Sequence, residues 1–251
     1  MRQTILITGG TGKFGRRFVE HFAEKKWRVF FTSTNEANAR ALVDELGSLE
    51  GLEPIVSDLT RPGAAEGVVQ AIRDKGCQIN HLVNNARSLD SLRTNALGQT
   101  DREDFLAEYL MDVVVPYELS MAFFNAQADQ LHTITNIGSQ YGLVAANPHL
   151  YNEYPKQSPI QYGVAKAALG HLTKELSVRM ACKNVRVNCI AYGGVEGRVD
   201  ESFKDRYAEL TPSRRMLTES EVVGPLDFLV QQSSSSVTGQ TLVADGGWTV
   251  W

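Results

Sequence analysis

The sequence predicts an α/β fold in which a single, doubly wound parallel sheet of about seven strands carries helices on both faces. Two observations support this prediction. Short apolar runs rich in β-branched residues alternate along the chain with longer segments whose apolar residues recur at helical spacing. The first apolar run is also followed at once by a glycine-rich turn and an amphipathic segment, which is the order of a parallel β-α-β unit.

Seven segments are predicted to be strands. They are residues 4–8, 28–33, 53–57, 81–84, 133–137, 185–190 and 240–243. Helical patterns lie between them at about 14–26, 36–46, 62–75, 101–127, 159–182 and 219–232. We find no internal repeat and no linker-like boundary, so residues 1–251 are expected to form one domain.

The composition narrows the class of partner. The chain has 251 residues, of which 43% are hydrophobic and 22% charged, so it can bury a sizeable core. A formal net charge of -4 argues against nucleic acid or an anionic membrane as a partner and leaves a small molecule as the expected one. No apolar run is long enough to span a bilayer, and a strand begins directly after the N-terminus without a signal segment. We therefore expect a cytoplasmic protein.

The cysteines and histidines show no metal-ligand spacing. Cys77, Cys182 and Cys189 are odd in number and lie in or beside apolar segments, so free, buried thiols are expected. The five histidines show no pairing that suggests a metal site. The sequence therefore predicts no bound metal.

A glycine-rich turn with Gly9, Gly12 and Gly15 follows the first predicted strand, and a stripe of phenylalanines begins at Phe14. Glycines let the backbone approach a pyrophosphate, and the start of the next helix offers free N–H groups and the positive end of its dipole. The segment therefore predicts the phosphate cradle of a Rossmann fold. A glycine-rich surface turn without a ligand is the alternative interpretation.

Tyr162 and Lys166 lie four positions apart in a segment that is predicted to be helical. Side chains at this spacing share a helix face, so the phenol and the ammonium can converge on one reacting atom. Just upstream, Ser158 is predicted as the N-cap, Pro159 as a first-turn residue and Gln161 as the residue that completes a capping box. A nearby ammonium favours the phenolate, which suits a tyrosine for proton transfer. An exposed i,i+4 pair without a function is the alternative.

With these motifs the chain resembles the short-chain dehydrogenase/reductase family along nearly its whole length. The motifs that support the resemblance are, in chain order, residues 8–15, 58–60, 84–86, 136–139, Tyr162 with Lys166, 187–188, and 237–240 leading to 245–247. The resemblance implies a nicotinamide cofactor bound at the carboxyl ends of the strands. It also implies hydride transfer between C4 of the nicotinamide and a carbinol or carbonyl carbon.

The resemblance implies roles for individual residues. Tyr162 would exchange a proton with the substrate oxygen, Lys166 would assist it and bind the nicotinamide ribose, and Ser139 would hydrogen-bond the same oxygen. A simple turn hydroxyl is the alternative for Ser139, and a tie between strands is the alternative for Asn84. Asp58 would contact the adenine. The residues expected to bind the cofactor are Gly9, Gly12, Lys13, Phe14, Gly15, Thr34, Asp58, Leu59, Asn85, Ala86, Tyr162, Lys166 and Val195.

Four positions depart from the family's pattern. Lys13 stands where the turn normally has glycine, and Tyr192 replaces a proline. Asp112 replaces a helix asparagine that helps to hold a water near the lysine. A carboxylate there can keep the water and also favours the Lys166 ammonium, so Asp112 is counted among the catalytic candidates.

Arg87 is the fourth departure, since glycine is expected at this position, at the mouth of the predicted site. A buried cation needs a partner. Arg87 is expected either to meet a carboxylate or phosphate of the substrate or to pair with an acid such as Asp112, and the pairing is slightly favoured.

Residues 146–157 form an insertion between the two catalytic motifs, so they must lie over or beside the site. Tyr151 and Tyr154 in this insertion suit a sugar-like ligand. A loop that packs at a subunit contact is the alternative.

Residues 194–216 fall where the family keeps its mobile substrate lid. Arg198, with Arg214 and Arg215, suggests an anionic substrate. A solvated helix face explains the three arginines nearly as well.

The end of the second predicted strand bears on the choice of cofactor. An acid there would bind the adenosine 2'-hydroxyl and repel a 2'-phosphate, but residues 32–35 are Thr-Ser-Thr-Asn. Lys13 or Arg16 is expected nearby. NADP(H) is therefore favoured, and Glu36 keeps NAD(H) possible.

The C-terminal segment indicates a subgroup of the family and an oligomeric state. Residues 245–251, with the tyrosine-rich insertion and residues 193–198, resemble members associated with bacterial surface-polysaccharide and nonulosonate sugar pathways. The tail is apolar, and the family packs its C-terminal strand region between subunits. The resemblance therefore implies a homotetramer, or else a homodimer.

Two classes of function follow. The first is an NADP-dependent oxidoreductase acting on a carbonyl or alcohol of a polar, sugar-derived or anionic substrate, with a 3-oxoacyl thioester as the alternative substrate. The second is a non-catalytic, cofactor-binding regulatory protein of the same fold, suggested by Lys13, Arg87 and Asp112. The presence of Ser139 with Tyr162 and Lys166 favours the enzyme.

Overall fold

The structure, a computed structural model, describes residues 2–47, 49–197 and 199–251. The strands in these ranges are β1 (Thr4–Ile7), β2 (Arg28–Ser33), β3 (Leu52–Val56), β4 (His81–Asn84), β5 (Thr133–Ser139), β6 (Arg186–Tyr192) and β7 (Thr241–Ala244). They form one parallel sheet in the spatial order β3-β2-β1-β4-β5-β6-β7. This confirms the predicted parallel sheet of about seven strands.

Helices pack on both faces of the sheet, as predicted. Their bounds are α1 (Lys13–Glu24), α2 (Glu36–Glu45), α3 (Ala64–Asp74), α4 (Arg102–Tyr109), α5 (Val115–Gln127), α6 (Tyr154–Gln157), α7 (Ile160–Arg179), α8 (Glu201–Glu209) and α9 (Val223–Val230). The apolar faces of α1, α2 and α9 contribute to one core, and those of α3, α5 and α7 contribute to the core on the opposite face. Because both faces are covered, the strands are apolar on both sides.

The residues of β1 show how the sequence builds the two cores. Ile5 and Ile7 point into the first core and Leu6 into the second, since neighbouring side chains of a strand face opposite ways. Phe18 and Phe22 of α1 are fully buried over the first face. Each such ring contributes roughly 2–3 kcal/mol of burial free energy, so this packing fixes the start of α1 against the end of β1.

The strand order reverses beside β1. Chain connections run outward from β1 to β2 and β3 on one side, and from β4 to β7 on the other. The loops that leave the carboxyl ends of β1 and β4 therefore diverge and leave a crevice between them. This crevice places the glycine turn opposite the segments that follow β4 and β5.

The predicted helix over residues 101–127 is interrupted. A five-residue π-helical turn, Leu110–Val114, separates α4 from α5 and carries Asp112. Such turns insert one residue into a helix and occur frequently at functional sites. Apolar periodicity did not reveal the π-helical turn, because the flanking segments keep helical spacing. Two helices were also not predicted: α8, and the short α6 within the insertion at residues 146–157.

The predicted capping box at the start of α7 is wrong. Pro159, in an extended conformation, is the N-cap, and Ser158 lies before it. The Gln161 amide is fully buried, donates to the carbonyls of Ser91 (2.7 Å) and Arg93 (3.3 Å), and accepts from the Thr100 hydroxyl. These partners, distant in sequence, outcompete the local cap and fasten the loop after β4 to α7.

The cysteines only partly follow the prediction. All three are free thiols, but Cys182 is exposed and Cys77 half-buried, so only Cys189 is buried. Within the described ranges, no cluster of His, Cys, Asp or Glu is arranged to hold a metal ion. No helix of these ranges has both the length and the apolar character needed to cross a bilayer.

Candidate active site

A cavity of about 580 Å³ opens at the carboxyl end of the sheet. It extends from the glycine turn, past the loops after β4 and β5, to Val199, Phe203 and Met216. The predicted site residues that line it are Gly9, Gly12, Lys13, Phe14, Thr34, Leu59, Asn85, Ala86, Arg87, Ser139, Tyr151, Tyr162, Lys166 and Val195. Motifs that are distant in sequence thus meet in one cavity.

Other predicted site residues lie outside the cavity wall. Gly15 supports the turn from below, where an added Cβ would be 2.1 Å from the Gly9 carbonyl oxygen. The Asp58 carboxylate accepts from the backbone N–H and hydroxyl of Thr60, and these hydrogen bonds lower the pKa of Asp58. Tyr154 packs on Tyr151 with ring centroids 6.0 Å apart. Arg198 lies outside the described residues.

The glycine turn is built for close backbone approach. Gly9 has φ +64°, and a Cβ there would lie 2.8 Å from Ala86 Cα, so glycine is required by both conformation and space. Gly12 precedes α1 and supplies no side-chain cap. The first-turn N–H groups of α1 therefore have no side-chain cap to compete with an anion.

Lys13 extends towards the segment that follows β6. Its ammonium donates to the carbonyls of Val195 (3.2 Å) and Glu196, and its Nζ lies 3.8 Å from a Glu219 oxygen. Lys13 thus joins the glycine turn to Val195 and Glu196, which follow β6. Arg16, the other cation expected near a 2'-phosphate, pairs with Glu45.

The catalytic candidates converge on one end of the cavity. Tyr162 and Lys166 lie in the opening turns of α7, as predicted, and Lys166 Nζ lies 5.8 Å from the Tyr162 ring centroid. Lys166 Nζ donates to the Ile137 carbonyl at 3.0 Å and lies 3.0 Å from Asp112 Oδ2. Both partners in this ion pair are buried. Asp112 therefore contacts the lysine directly from below the cavity wall.

The electrostatics of Lys166 follow from this pair. Burial works against its ammonium, but the nearby Asp112 carboxylate and the Tyr162 phenol oxygen outweigh burial and raise the pKa of Lys166. Lys166 is therefore charged at neutral pH. Without Asp112, the same burial would favour the neutral amine.

The expected pairing of Arg87 with Asp112 is wrong, because Asp112 pairs with Lys166 and Arg87 is exposed rather than buried. The Arg87 guanidinium lies over the Tyr162 ring, 4.8 Å from its centroid. Exposure removes the need for a buried counter-charge. A cation thus lies at the mouth of the cavity, against the catalytic tyrosine candidate.

Ser139 ends β5 and is buried at the cavity wall. Its hydroxyl oxygen accepts from the Tyr141 backbone N–H at 3.2 Å, so it stabilises the turn and can still donate its own hydrogen. Asn84 has the structural role that was the alternative for it. Its amide donates to the Asn136 side-chain oxygen at 2.8 Å and ties β4 to β5.

The part of the cavity between the loop after β5 and α8 is called the substrate side. Several of its residues were not predicted from the sequence. Tyr141 hydrogen-bonds Tyr151, with the two hydroxyl oxygens 2.7 Å apart. Tyr207 of α8 donates to the Gln140 amide oxygen, accepts from the Gly194 N–H, and has its pKa raised to about 12 by burial. The apolar residues on this side are Leu89, Val199, Phe203 and Met216. Tyr141 could have been identified from its position two residues after Ser139, whereas no sequence pattern indicated Tyr207.

Tyr192, the replacement for proline, is buried and packs edge-on against Phe14 at a centroid distance of 5.3 Å. Its hydroxyl donates to the Val222 carbonyl. Tyr192 therefore connects the end of β6 to the start of α1 and to the segment before α9. It fixes both sides of the cavity near the glycine turn.

Comparisons with known proteins agree with this architecture. The family described as enoyl-(acyl carrier protein) reductase matches residues 13–249. FabG of Chlamydia pneumoniae, a 3-oxoacyl-[acyl-carrier-protein] reductase, is 28% identical over 250 residues, which cover 98% of this chain and 96% of that protein. The post-translational flagellin modification protein A of Campylobacter coli is 26% identical over 251 residues, covering 97% of each chain.

A solved structure extends the comparison to three dimensions. A short chain dehydrogenase from Leptospira borgpetersenii, solved with bound NAD+, has a TM-score of 0.88 and 30% identity and covers 99% of this chain and 93% of its own. The strand order, the ordered motifs and these matches lead to one conclusion. The chain belongs to the short-chain dehydrogenase/reductase family and is an oxidoreductase.

Proposed function

We propose that this protein transfers hydride between C4 of NADP(H) and a carbonyl or alcohol carbon of a polar, anionic substrate, with sugar-derived compounds favoured. The observation that carries the proposal is the convergence of Ser139, Tyr162 and Lys166 on one cavity, with the Arg87 cation over the Tyr162 ring. The first three supply acid-base and oxyanion chemistry. Arg87 supplies a site for a substrate anion.

The residues present fit a dinucleotide. The close approach of Gly9 to Ala86 leaves room only for backbone, and the uncapped first turn of α1 suits a pyrophosphate. Asn85 and Ala86 would line the ribose, and Lys166 would reach the ribose hydroxyls. When bound, the nicotinamide supplies or accepts the hydride.

NADP(H) is favoured over NAD(H) by the end of β2. Ser33 and Thr34 line the cavity there and offer hydroxyls to a 2'-phosphate. The Glu36 carboxylate, which would favour a 2'-hydroxyl, instead pairs with Arg40. NAD(H) would require Glu36 to leave this partner.

The catalytic side chains have different roles in the proposed proton transfer. In reduction, Tyr162 gives its hydroxyl proton to the substrate oxygen, and in oxidation it takes that proton back. The Lys166 ammonium stabilises the phenolate left on Tyr162, and Asp112 keeps Lys166 charged. Ser139 donates to the same substrate oxygen and stabilises the charge that develops on it.

The substrate side combines one cation, several hydroxyls and apolar surface. Arg87 would bind a carboxylate or phosphate, while Tyr141, Tyr151 and Gln140 would bind hydroxyl groups. A 3-oxoacyl thioester is the second candidate, favoured by the apolar residues Leu89, Phe203 and Met216 and by the resemblance to a 3-oxoacyl reductase. A non-catalytic role is the third, suggested by Lys13 and Asp112.

Location and assembly belong to the same proposal. Three free thiols suit the reducing cytoplasm. At the chain end, Val250 and Trp251 are 71% and 72% exposed, and Val243 of β7 is 43% exposed. Packing of this apolar surface between copies would give a homotetramer or homodimer, which light scattering can test.

A substrate screen tests the proposed function. NADPH oxidation is followed with 2- and 3-oxo acids, phosphorylated and neutral keto-sugars, and 3-oxoacyl thioesters, for the wild type and Arg87→Met. The proposal expects turnover of an anionic compound that the Arg87→Met change weakens. Equal turnover of a neutral thioester by both proteins would favour the second candidate, and no turnover of any compound would favour the non-catalytic role.

A further inference from the structure

A row of buried carboxylates runs along α4 into the π-helical turn. Asp104, Glu108 and Asp112 are spaced four residues apart, and these residues are 8%, 1% and 2% exposed. Carboxylates are rarely buried unless they are paired. Asp104 pairs with Arg93 at 2.7 Å and Asp112 with Lys166 at 3.0 Å. Glu108 lies between these two ion pairs.

Glu108 is held differently from its neighbours. Its Oε2 accepts the hydroxyl hydrogen of Ser91. Its Oε1 is buried and has no hydrogen-bond partner among the residues that the structure describes. An ionised carboxylate would leave half of its charge unsatisfied there, whereas a neutral acid would not.

The charges that face Glu108 come from three elements. Asp112 lies on the π-helical turn that follows α4, Lys166 on α7, and Arg87 on the loop after β4. Burial and the Asp112 charge raise the pKa of Glu108, and together they outweigh Ser91, Arg87 and Lys166. The Lys166 ammonium forms an ion pair with Asp112, and the Arg87 guanidinium lies over the Tyr162 ring. Neither cation therefore serves as the counter-charge of Glu108.

We propose that Glu108 carries a proton at neutral pH, so that Asp112 is the single buried carboxylate charge opposite Lys166. Glu108 is then a positioning residue that acts through Asp112. A second charge on this side would draw the Lys166 ammonium away from the Tyr162 phenolate and slow proton transfer. This inference rests on the proposed function for its kinetic consequence, but the protonation itself does not depend on turnover.

Infrared spectroscopy in deuterated buffer tests the protonation without any substrate. A protonated carboxyl group absorbs at a frequency well separated from that of a carboxylate. We expect the wild type at neutral pH to show the band of a buried protonated acid, and Glu108→Gln to lose it. Glu103→Gln, on the exposed side of the same helix, is the matched control and should keep the band. A wild type without the band, or Glu108→Gln with it, would overturn the proposal.

Kinetics separate a neutral Glu108 from a charged one. Because glutamine mimics a protonated glutamate, turnover of Glu108→Gln at neutral pH should stay within about twofold of wild type. The part of an alkaline decline that comes from ionisation of Glu108 should be lost, and the limb set by Lys166 should remain. A tenfold or greater loss at neutral pH, with unchanged NADPH binding, would show that a charged Glu108 is needed and would overturn the proposal.

Ser91→Ala gives an independent check. It removes a hydrogen bond that favours the ionised form, so the protonated band should persist to higher pH than in the wild type. Persistence only to the same or a lower pH would contradict the assignment. If no compound in the screen is turned over but Glu108→Gln loses the band, the proposed function fails while the protonation of Glu108 stands.

Discussion

The two ends of β4 bury polar groups in opposite ways. At its amino end, His81 stacks on Trp27 at 5.0 Å and hydrogen-bonds Thr133 (2.8 Å) and Gln3 (3.1 Å), all uncharged partners. Burial, with the charges of His132 and Arg186, lowers the pKa of His81 to about 3. The histidine is therefore neutral at physiological pH.

Beyond the carboxyl end of the same strand, burial is combined with charge. Lys166 and Asp112 are both buried and lie 3.0 Å apart as an ion pair. Replacing such a pair by apolar residues is often neutral or stabilising, so its presence is poorly explained by stability. The comparison shows a neutral polar cluster at one end of β4 and a buried ion pair beside the cavity at the other, and the ion pair is the feature that stability alone explains poorly.

Tyr162→Phe is expected to have the largest effect on the charged end. Removing the hydroxyl leaves no acid for the substrate oxygen, so turnover should fall at least ~100-fold while NADPH affinity stays nearly unchanged. Steady-state rates and nicotinamide fluorescence measure the two quantities. Tyr117→Phe, at an exposed residue of α5 outside the cavity wall, is the control. Near-normal turnover in Tyr162→Phe would show that Tyr162 is not the acid that protonates the substrate oxygen.

Arg87→Met should affect binding more than chemistry. A charged hydrogen bond to an anion is lost, so KM for an anionic substrate should rise by roughly 10–100-fold with a smaller change in kcat. Arg179→Met, a surface change on α7 where Arg179 pairs with Glu175, is the control. An unchanged KM would show that Arg87 does not contact the substrate.

Asp112→Asn tests the charged end of β4, because it removes one of the two charges in the buried ion pair. Asp112 helps to raise the pKa of Lys166, so its loss should lower that pKa and move the corresponding limb of the pH-rate profile to lower pH. The profile of Asp129→Asn, a change at an exposed residue, should match the wild type. An unmoved limb would mean that the ion pair does not control the proton chemistry.

His81 provides the most gradual effect, and this effect is on stability rather than on turnover. Its folded-state pKa, about 3, lies below the unfolded value of ~6.5, so the unfolded state takes up a proton first as pH falls. Stability is therefore lost progressively below about pH 6.5, by at most ~1.4 kcal/mol per pH unit, until the folded state titrates near pH 3.

Urea unfolding between pH 4 and 7 measures this slope. His81→Asn should be less stable at neutral pH and should show a shallower decline on acidification. His171→Asn, at a residue that is exposed on α7, should keep the wild-type slope. Equal slopes in all three proteins would contradict the assignment of a neutral His81.

The sequence predicted the sheet and its motifs because their signals are local. Alternating apolar runs define β1 to β7, and the spacing of Tyr162 and Lys166 places both on one helix face. The contacts of Lys13, Gln161 and Arg87 were not predictable in this way. Each depends on residues distant in the chain, such as Val195 for Lys13 and Ser91 for Gln161.

The π-helical turn is a further example. It inserts one residue without breaking the apolar pattern, yet it lies where Asp112 meets Lys166. Glu108 was overlooked because a glutamate in a helical segment ordinarily faces solvent. Only the packing of α4 against the loop after β4 reveals that it is buried.

The central claim is that the cavity at the carboxyl end of the sheet is a nicotinamide-dependent redox site. Titration of the wild type with NADPH and NADH, followed by nicotinamide fluorescence, tests it most directly. We expect saturable binding of NADPH with weaker binding of NADH, and loss of both in Gly9→Ala, where the added Cβ would meet Ala86. Binding of neither cofactor by the wild type would contradict the account.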